Sequence, residues 1–213
     1  MSTWAELNAD PRQRLEYPSE HVVRWLSRVG RARDGFARAI DIGAGFGRHA
    51  RLLRSYGYDT VAVDAFSPDP MVVNADMREL PWLEGTFDVA VAYGVFYYGT
   101  RQDHQAAADE LYRVLRPGGH AFVNLRRTDD WRNKIGMTRD YPEFGMALDF
   151  VDQTDVGVIY KRFASVQYLR ASWSQRWGFV NCDFNLELRK GNEGEVAPRT
   201  QLVRRDFNLE LTK

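Results

Sequence analysis

The sequence predicts a single α/β domain with a mainly parallel sheet that ends in an antiparallel hairpin. Three observations lead there. Short β-branched runs alternate with helical stretches between residues 19 and 126. A glycine-rich turn, Gly43-Ala44-Gly45-Phe46-Gly47, joins the first of these runs to a helix. The tail repeats one hexamer, Asp183-Phe184-Asn185-Leu186-Glu187-Leu188 and Asp206-Phe207-Asn208-Leu209-Glu210-Leu211, whose apolar residues alternate and share a face.

The helical and strand signals follow in order. Ser19 suits an N-cap for a helix through Val29, with Val22, Val23, Trp25, Leu26 and Val29 as its apolar stripe. Ala39-Ile40-Asp41-Ile42 is the strand entering the glycine turn, and Arg48 to Tyr56 reads as a helix stopped by Gly57. Thr60 to Asp64, Met71 to Val73, and Phe87 to Tyr93 read as strands. Residues 101–115 read as a helix, and Pro117-Gly118-Gly119 turns into the strand His120 to Leu125. This alternation indicates βαβ units with right-handed crossovers. Beyond it, Val158 to Phe163 reads as a strand, and Ser165 caps a helix to Trp177. The two hexamer copies are read as antiparallel strands joined by a polar loop.

The 213 residues suit one domain, and the 44% hydrophobic content is enough for a sizeable core. Lys plus Arg and Asp plus Glu both number 29, which argues against nucleic acid or an anionic membrane as a bulk electrostatic partner. The single cysteine, Cys182, leaves no internal disulfide and no thiolate metal cluster. No apolar run reaches the roughly 18–20 residues that span a bilayer, and residues 1–6 lack a secretory signal. The expectation is a cytoplasmic protein, monomeric or homodimeric.

A strand, a glycine turn and a helix present backbone N–H groups and a helix N-terminus at one sheet edge, which suits a nucleotide-like ligand. The spacing is G-x-G-x-G; Arg48 stands where a dinucleotide fingerprint needs its last glycine, and no Walker sequence occurs. Asp64 follows Gly43 by 21 residues, at a strand end where a carboxylate can accept from both ribose hydroxyls.

The stretch Ala39 to Arg48 resembles the first motif of the class I S-adenosylmethionine-dependent methyltransferases. Four more features agree in order: Val63-Asp64-Ala65, Ala75-Asp76-Met77, Phe87-Asp88-Val89-Ala90-Val91, and Arg113-Val114-Leu115-Arg116-Pro117-Gly118-Gly119. The resemblance implies a Rossmann-like, doubly wound, mainly parallel seven-stranded sheet with helices on both faces. It divides the chain into an arm and helix (1–30), a cofactor core (36–126), a substrate or lid region (127–160), and a closing helix and strands (161–213). It implies S-adenosylmethionine as cofactor and S-adenosylhomocysteine as product. Gly43, Ala44, Gly45 and Gly47 would border the methionine part, with Asp41 organising the loop. Asp64 would hold the ribose, with Ala65 and Phe66 beside the adenine, and Asp76 and Met77 would meet the adenine. Tyr93, Gly94 and Val95 would border the sulfonium, and Tyr17 and Trp4 would close from the arm.

For the transfer itself, a base matters only if the nucleophile must lose a proton. His104, Tyr93 and Tyr97 are the candidates. Tyr97, Tyr98, Arg126 and Trp131 are candidates for holding a small-molecule acceptor. Asp129 and Asp130 lie where a cation-dependent enzyme could place ligands, but Tyr93 takes the position of the further acid, so no metal is expected. Two alternatives stand beside the methyltransferase: a non-catalytic S-adenosylmethionine-binding protein and a nicotinamide-dependent oxidoreductase.

Overall fold

The computed structural model describes residues 14–33, 36–96, 98–130, 133, 150–174, 180–193, 195 and 203–205. Among them, the parallel strands are β1 (Arg38–Ile42), β2 (Asp59–Asp64), β3 (Val73–Asn74), β4 (Phe87–Ala92) and β5 (Leu115–Arg126). They are followed by β6 (Ser165–Ser174), β7 (Val180–Arg189) and β8 (Val203–Arg205). The helices are α1 (Glu20–Val29), α2 (Arg48–Ser55), α3 (Arg101–Val114) and α4 (Gln153–Ile159).

The strands form one sheet in the order β3-β2-β1-β4-β5-β7-β6-β8. Pairs from β3 to β5 are parallel, β7 runs antiparallel to β5 and β6, and β8 adds a short parallel edge. The order reverses between β1 and β4, so a crevice opens above their carboxyl ends, where doubly wound sheets bind ligands.

Helices cover both faces. On one, Val22, Trp25 and Leu26 of α1 and Leu53 of α2 pack on Ala39, Val89, Val91 and Phe122, with Trp25 and Phe122 rings 5.5 Å apart. On the other, Ala107, Ala108 and Leu111 of α3 and Val156 and Ile159 of α4 pack on Ile40, Ala90, Ala121 and Val123. Each large apolar side chain so buried contributes about 1.5–3 kcal/mol.

The closing half departs from expectation. The segment after Ser165 is a strand, and all ten residues of β6 pair with β7. The expected strand at 158–163 is preceded and partly replaced by α4, whose N-terminus carries a capping box between Asp152 and Asp155. The hairpin is therefore β6–β7. The first hexamer copy lies in β7, with Phe184, Leu186 and Leu188 buried as the alternation predicts. The second copy lies outside the described residues. Residues 71–73 contribute only the two-residue β3. Pro117-Gly118-Gly119 is a bulge inside β5: Phe87 pairs Leu115 and Val89 pairs His120, two steps against five.

On the α1 face, the polar alternation of β7 meets that of β5. Asn124 donates to Asn185 at 3.0 Å and Arg126 donates to Asp183 at 2.7 Å. Just past β7, the buried Lys190 ammonium donates to the carbonyls of Tyr112 (3.0 Å) and Leu115 (2.8 Å) at the end of α3, a favourable place for a cation.

Candidate functional site

The crevice above β1 and β4 holds a cavity of about 480 Å³, within the roughly 300–1,000 Å³ usual for ligand pockets. Its floor is the glycine turn. Gly43 has φ +67°, and a Cβ there would lie 2.4 Å from the Val95 Cβ, so only glycine lets this turn pass beneath the β4 end. Gly45, at φ +53°, would meet nothing within 4 Å: its face is open to the cavity. The Ala44 amide donates to Val63 at 3.0 Å and ties the turn to β2.

Beneath the turn, Asp41 is fully buried. Its Oδ2 accepts from the Ala50 amide at 2.8 Å, while Oδ1 has no hydrogen-bond partner. Burial pushes its carboxyl up to about 7. The His49 Nδ1 stands 4.0 Å from Oδ1, and its Nε2 accepts from the Ser19 amide at 3.1 Å. Burial holds that imidazole down at about 3, so it is neutral and the contact with Asp41 is not an ion pair. The turn is thereby linked to the N-cap of α1.

Asp64 ends β2 at the cavity wall. Its Oδ2 accepts from the Gly45 amide at 2.9 Å and Oδ1 from the Phe66 amide at 2.7 Å. A carboxylate has about four lone-pair sites, so acceptor capacity remains toward the cavity.

The far end is made of side chains. Asp76 Oδ1 accepts from the backbone amide of Arg78 at 2.8 Å and from its Nε at 2.9 Å. Oδ2 accepts from Arg78 Nη2. Arg78 Nη1 donates to Asp103 Oδ1 at 2.6 Å, and Asp103 Oδ2 accepts from the amide and hydroxyl of Thr100, each at 2.8 Å. The Arg78 hydrogen bonds hold the Asp76 carboxyl below the usual carboxylate range. Sequence reading missed Arg78, Thr100 and Asp103; the Thr100–Asp103 capping-box spacing was the one local signal available.

Of the residues expected at the site, the cavity wall brings together Gly43, Gly45, Asp64, Ala65, Phe66, Asp76, Met77, Gly94, Val95 and Tyr98. Asp41 lies beneath the turn, the buried Ala44 faces Ala50 and Ala62, and Gly47 is the N-cap of α2. Tyr93 turns to the α1 face, its ring 5.4 Å from His49 and stacked 6.3 Å from Phe122. Tyr17 does not close the cavity: its side chain is 83% exposed. Arg126 pairs with Asp183 rather than facing the cavity. Tyr97, Trp131 and Trp4 lie outside the described residues.

His104 is a correction. It was expected at the rim, yet it is 1% exposed, with Nε2 3.3 Å from the Tyr160 hydroxyl and its ring edge-on to Phe96. Burial lowers its pKa to about 4. It shares the inward stripe of α3 with Ala107, Ala108 and Leu111, so it is a core residue.

A family model described as a methyltransferase domain matches residues 40–123, which contain every residue lining the cavity. An uncharacterised methyltransferase of Mycobacterium tuberculosis is 26% identical over 184 residues, covering 82% of this chain and 70% of that protein. Residues 40–123 are a methyltransferase domain, similar to those of the class I S-adenosylmethionine-dependent methyltransferases. Among other relatives of this methyltransferase, the demethylmenaquinone methyltransferase of Thermus thermophilus is 30% identical over 154 residues, 63% of this chain and 65% of that one. The same fold occurs in the 1,6-didemethyltoxoflavin-N1-methyltransferase of Burkholderia thailandensis, solved with 1,6-didemethyltoxoflavin and S-adenosylhomocysteine. That structure matches at a TM-score of 0.60 and 17% identity, over 81% of this chain and 77% of the other. No helix among the described residues is long and apolar enough to cross a membrane.

Proposed function

We propose that this methyltransferase transfers a methyl group from S-adenosylmethionine to a small-molecule acceptor by metal-independent in-line displacement. The observation that carries the reading is one concave wall holding the open face of Gly45, the Asp64 carboxylate and the Asp76 carboxylate. These residues fit the cofactor. Gly43 and Gly45 give room and backbone for the methionine part, Asp64 keeps acceptor sites for a ribose diol, and Asp76 keeps one for an amino group. Ala65, Phe66 and Met77 supply an apolar border for a purine, and Gly94 and Val95 stand at the β4 end beside the turn.

S-adenosylmethionine, when bound, supplies a methyl on a sulfonium whose leaving group is a neutral thioether. The leaving group needs no acid, so the chain's contribution is positioning and exclusion of water. The placement of His104 in the core fits an acceptor that arrives nucleophilic, or one served by a group other than that imidazole. The balanced charge of the chain and the small acceptors named for the Thermus and Burkholderia enzymes support a small molecule here.

Calorimetric titration with S-adenosylmethionine, S-adenosylhomocysteine and NADH tests the first half, with Asp64→Ala as control. Binding of the two sulfur compounds, lost in the variant and absent for NADH, is expected; failure of both to bind would overturn the reading. Formation of S-adenosylhomocysteine dependent on an added small-molecule pool separates an enzyme from a protein that only binds the cofactor.

A further inference from the structure

We propose that Arg78 sets the purine selectivity of this site: it fixes the Asp76 carboxylate with one lone pair open, which accepts a 6-amino purine and repels a 6-oxo purine. This rests on the reading that places Asp76 at the adenine.

The lone pairs can be counted. Asp76 Oδ1 takes two hydrogen bonds, from the Arg78 amide and Nε, and Oδ2 takes one from Nη2. Of about four sites on a carboxylate, one is left, on Oδ2. That site can only accept while the group is ionised.

The fork is itself held. Nη1 of Arg78 is spent on Asp103, whose other oxygen closes the capping box of α3 with Thr100. Gly99 makes this possible: at φ +106°, a Cβ there would lie 2.8 Å from the Asp103 Cβ. If Arg78 swings away it gives up its hydrogen bond to Asp103 Oδ1, while the capping box of α3, made by Asp103 Oδ2 and Thr100, stays in place to hold Asp103 where the fork meets it. A lysine would keep the charge but not the planar fork that orients both oxygens.

The charged groups facing Asp76 are Arg78 and, with the opposite sign, Asp103. The first outweighs the second, and the carboxylate survives to lower pH than an isolated one. A carboxyl allowed to protonate would donate to a 6-oxo group and lose its discrimination. The Asp76 side chain is 42% exposed; a purine lying against it would shield the carboxylate, and a site built to hydrogen-bond one group rejects the analogue that cannot supply it.

The test is calorimetric binding of S-adenosylhomocysteine and its 6-oxo counterpart, S-inosylhomocysteine. The proteins are the full chain and its Arg78→Ala, Arg78→Lys and Asp76→Ala variants. The full chain is expected to prefer the amino compound by about 100-fold. Arg78→Ala weakens the amino compound by about tenfold and changes the oxo compound by less than about threefold. Arg78→Lys behaves nearer to alanine than to arginine. Between pH 7 and about 4, amino-compound affinity stays flat in the full chain; in Arg78→Ala it falls by about twofold as pH reaches the ordinary carboxylate value of about 4. A preference lowered by Asp76→Ala but untouched in both Arg78 variants overturns the proposal alone. A preference untouched by Asp76→Ala overturns the placement of Asp76 at the adenine, and the proposal with it.

Discussion

The two ends of the cavity are built from different materials. At the turn, the shape is backbone: Gly43 fits under Val95 because it has no side chain, and Asp64 is fixed by the amides of Gly45 and Phe66. At the far end, the shape is three side chains, Asp76, Arg78 and Asp103, joined by charge-assisted hydrogen bonds. A backbone-built end admits few substitutions. A side-chain-built end can be retuned one residue at a time, and that is where ligand preference is cheapest to alter.

The largest expected effect breaks the backbone end. Gly43→Ala forces a Cβ to 2.4 Å from Val95 and should reduce S-adenosylmethionine affinity by more than about 100-fold, read by calorimetry. Adding Val95→Ala should recover part of the loss, but the left-handed backbone still costs an alanine about 1–2 kcal/mol. Full recovery would mean that the contact with Val95 alone requires glycine. Next, Asp64→Ala should weaken the cofactor by about 10–100-fold, and isothermal titration against the wild-type chain checks it.

The side-chain end should give way more gently. Arg78→Ala should cost about tenfold in cofactor affinity, and native stability should move by less than about 1 kcal/mol in urea titration, because Arg78 is 47% exposed. A large stability loss would show that the fork carries the fold, and the contrast between the two ends would fail.

The last effect concerns the floor of the turn; it leaves the ligand contacts least disturbed and is read in stability against pH. Asp41, raised to about 7, contributes stability that is full below the ordinary carboxylate value and is lost as pH climbs to about 7. His49 and His104, lowered to about 3 and about 4, do the reverse: the unfolded chain takes up protons below about 6.5 and the native state does not. Between pH 4.5 and 6.5 these slopes oppose one another. Asp41→Asn removes one side, so the loss of stability on acidification should steepen by about 1.4 kcal/mol per pH unit. Urea midpoints at four pH values decide it.

The backbone end was legible in the sequence because its information is local. Three glycines between a strand and a helix, and an acid at the next strand end, carry their meaning within 22 residues, from Gly43 to Asp64. The side-chain end was half legible. Asp76 sits in a recognisable motif, but Arg78 and Asp103 are 25 residues apart and meet only through the sheet. His104 was misplaced although its i, i+3, i+4, i+7 relation to Ala107, Ala108 and Leu111 puts it on the inward stripe. In the closing half, Ser165 looks like a helix cap, but ten rungs of pairing with β7 outweigh that local preference. The capping box at Asp152 and Asp155 was the available sign that a helix starts there rather than a strand following it.

The insertion of β7 between β5 and β6 has a consequence for biosynthesis. Every residue lining the cavity lies between Ile42 and Asp103, so a nascent chain of about 130 residues already contains the whole binding wall. Its β5 edge, from His120 to Arg126, nevertheless has no neighbour until Asp183–Arg189 has left the ribosome. Over those 60 or so residues of synthesis, the chain carries a bare strand edge of the kind that pairs with other chains. The first hexamer copy is the segment that ends that exposure, and its side chains take partners on both faces of the sheet as it arrives.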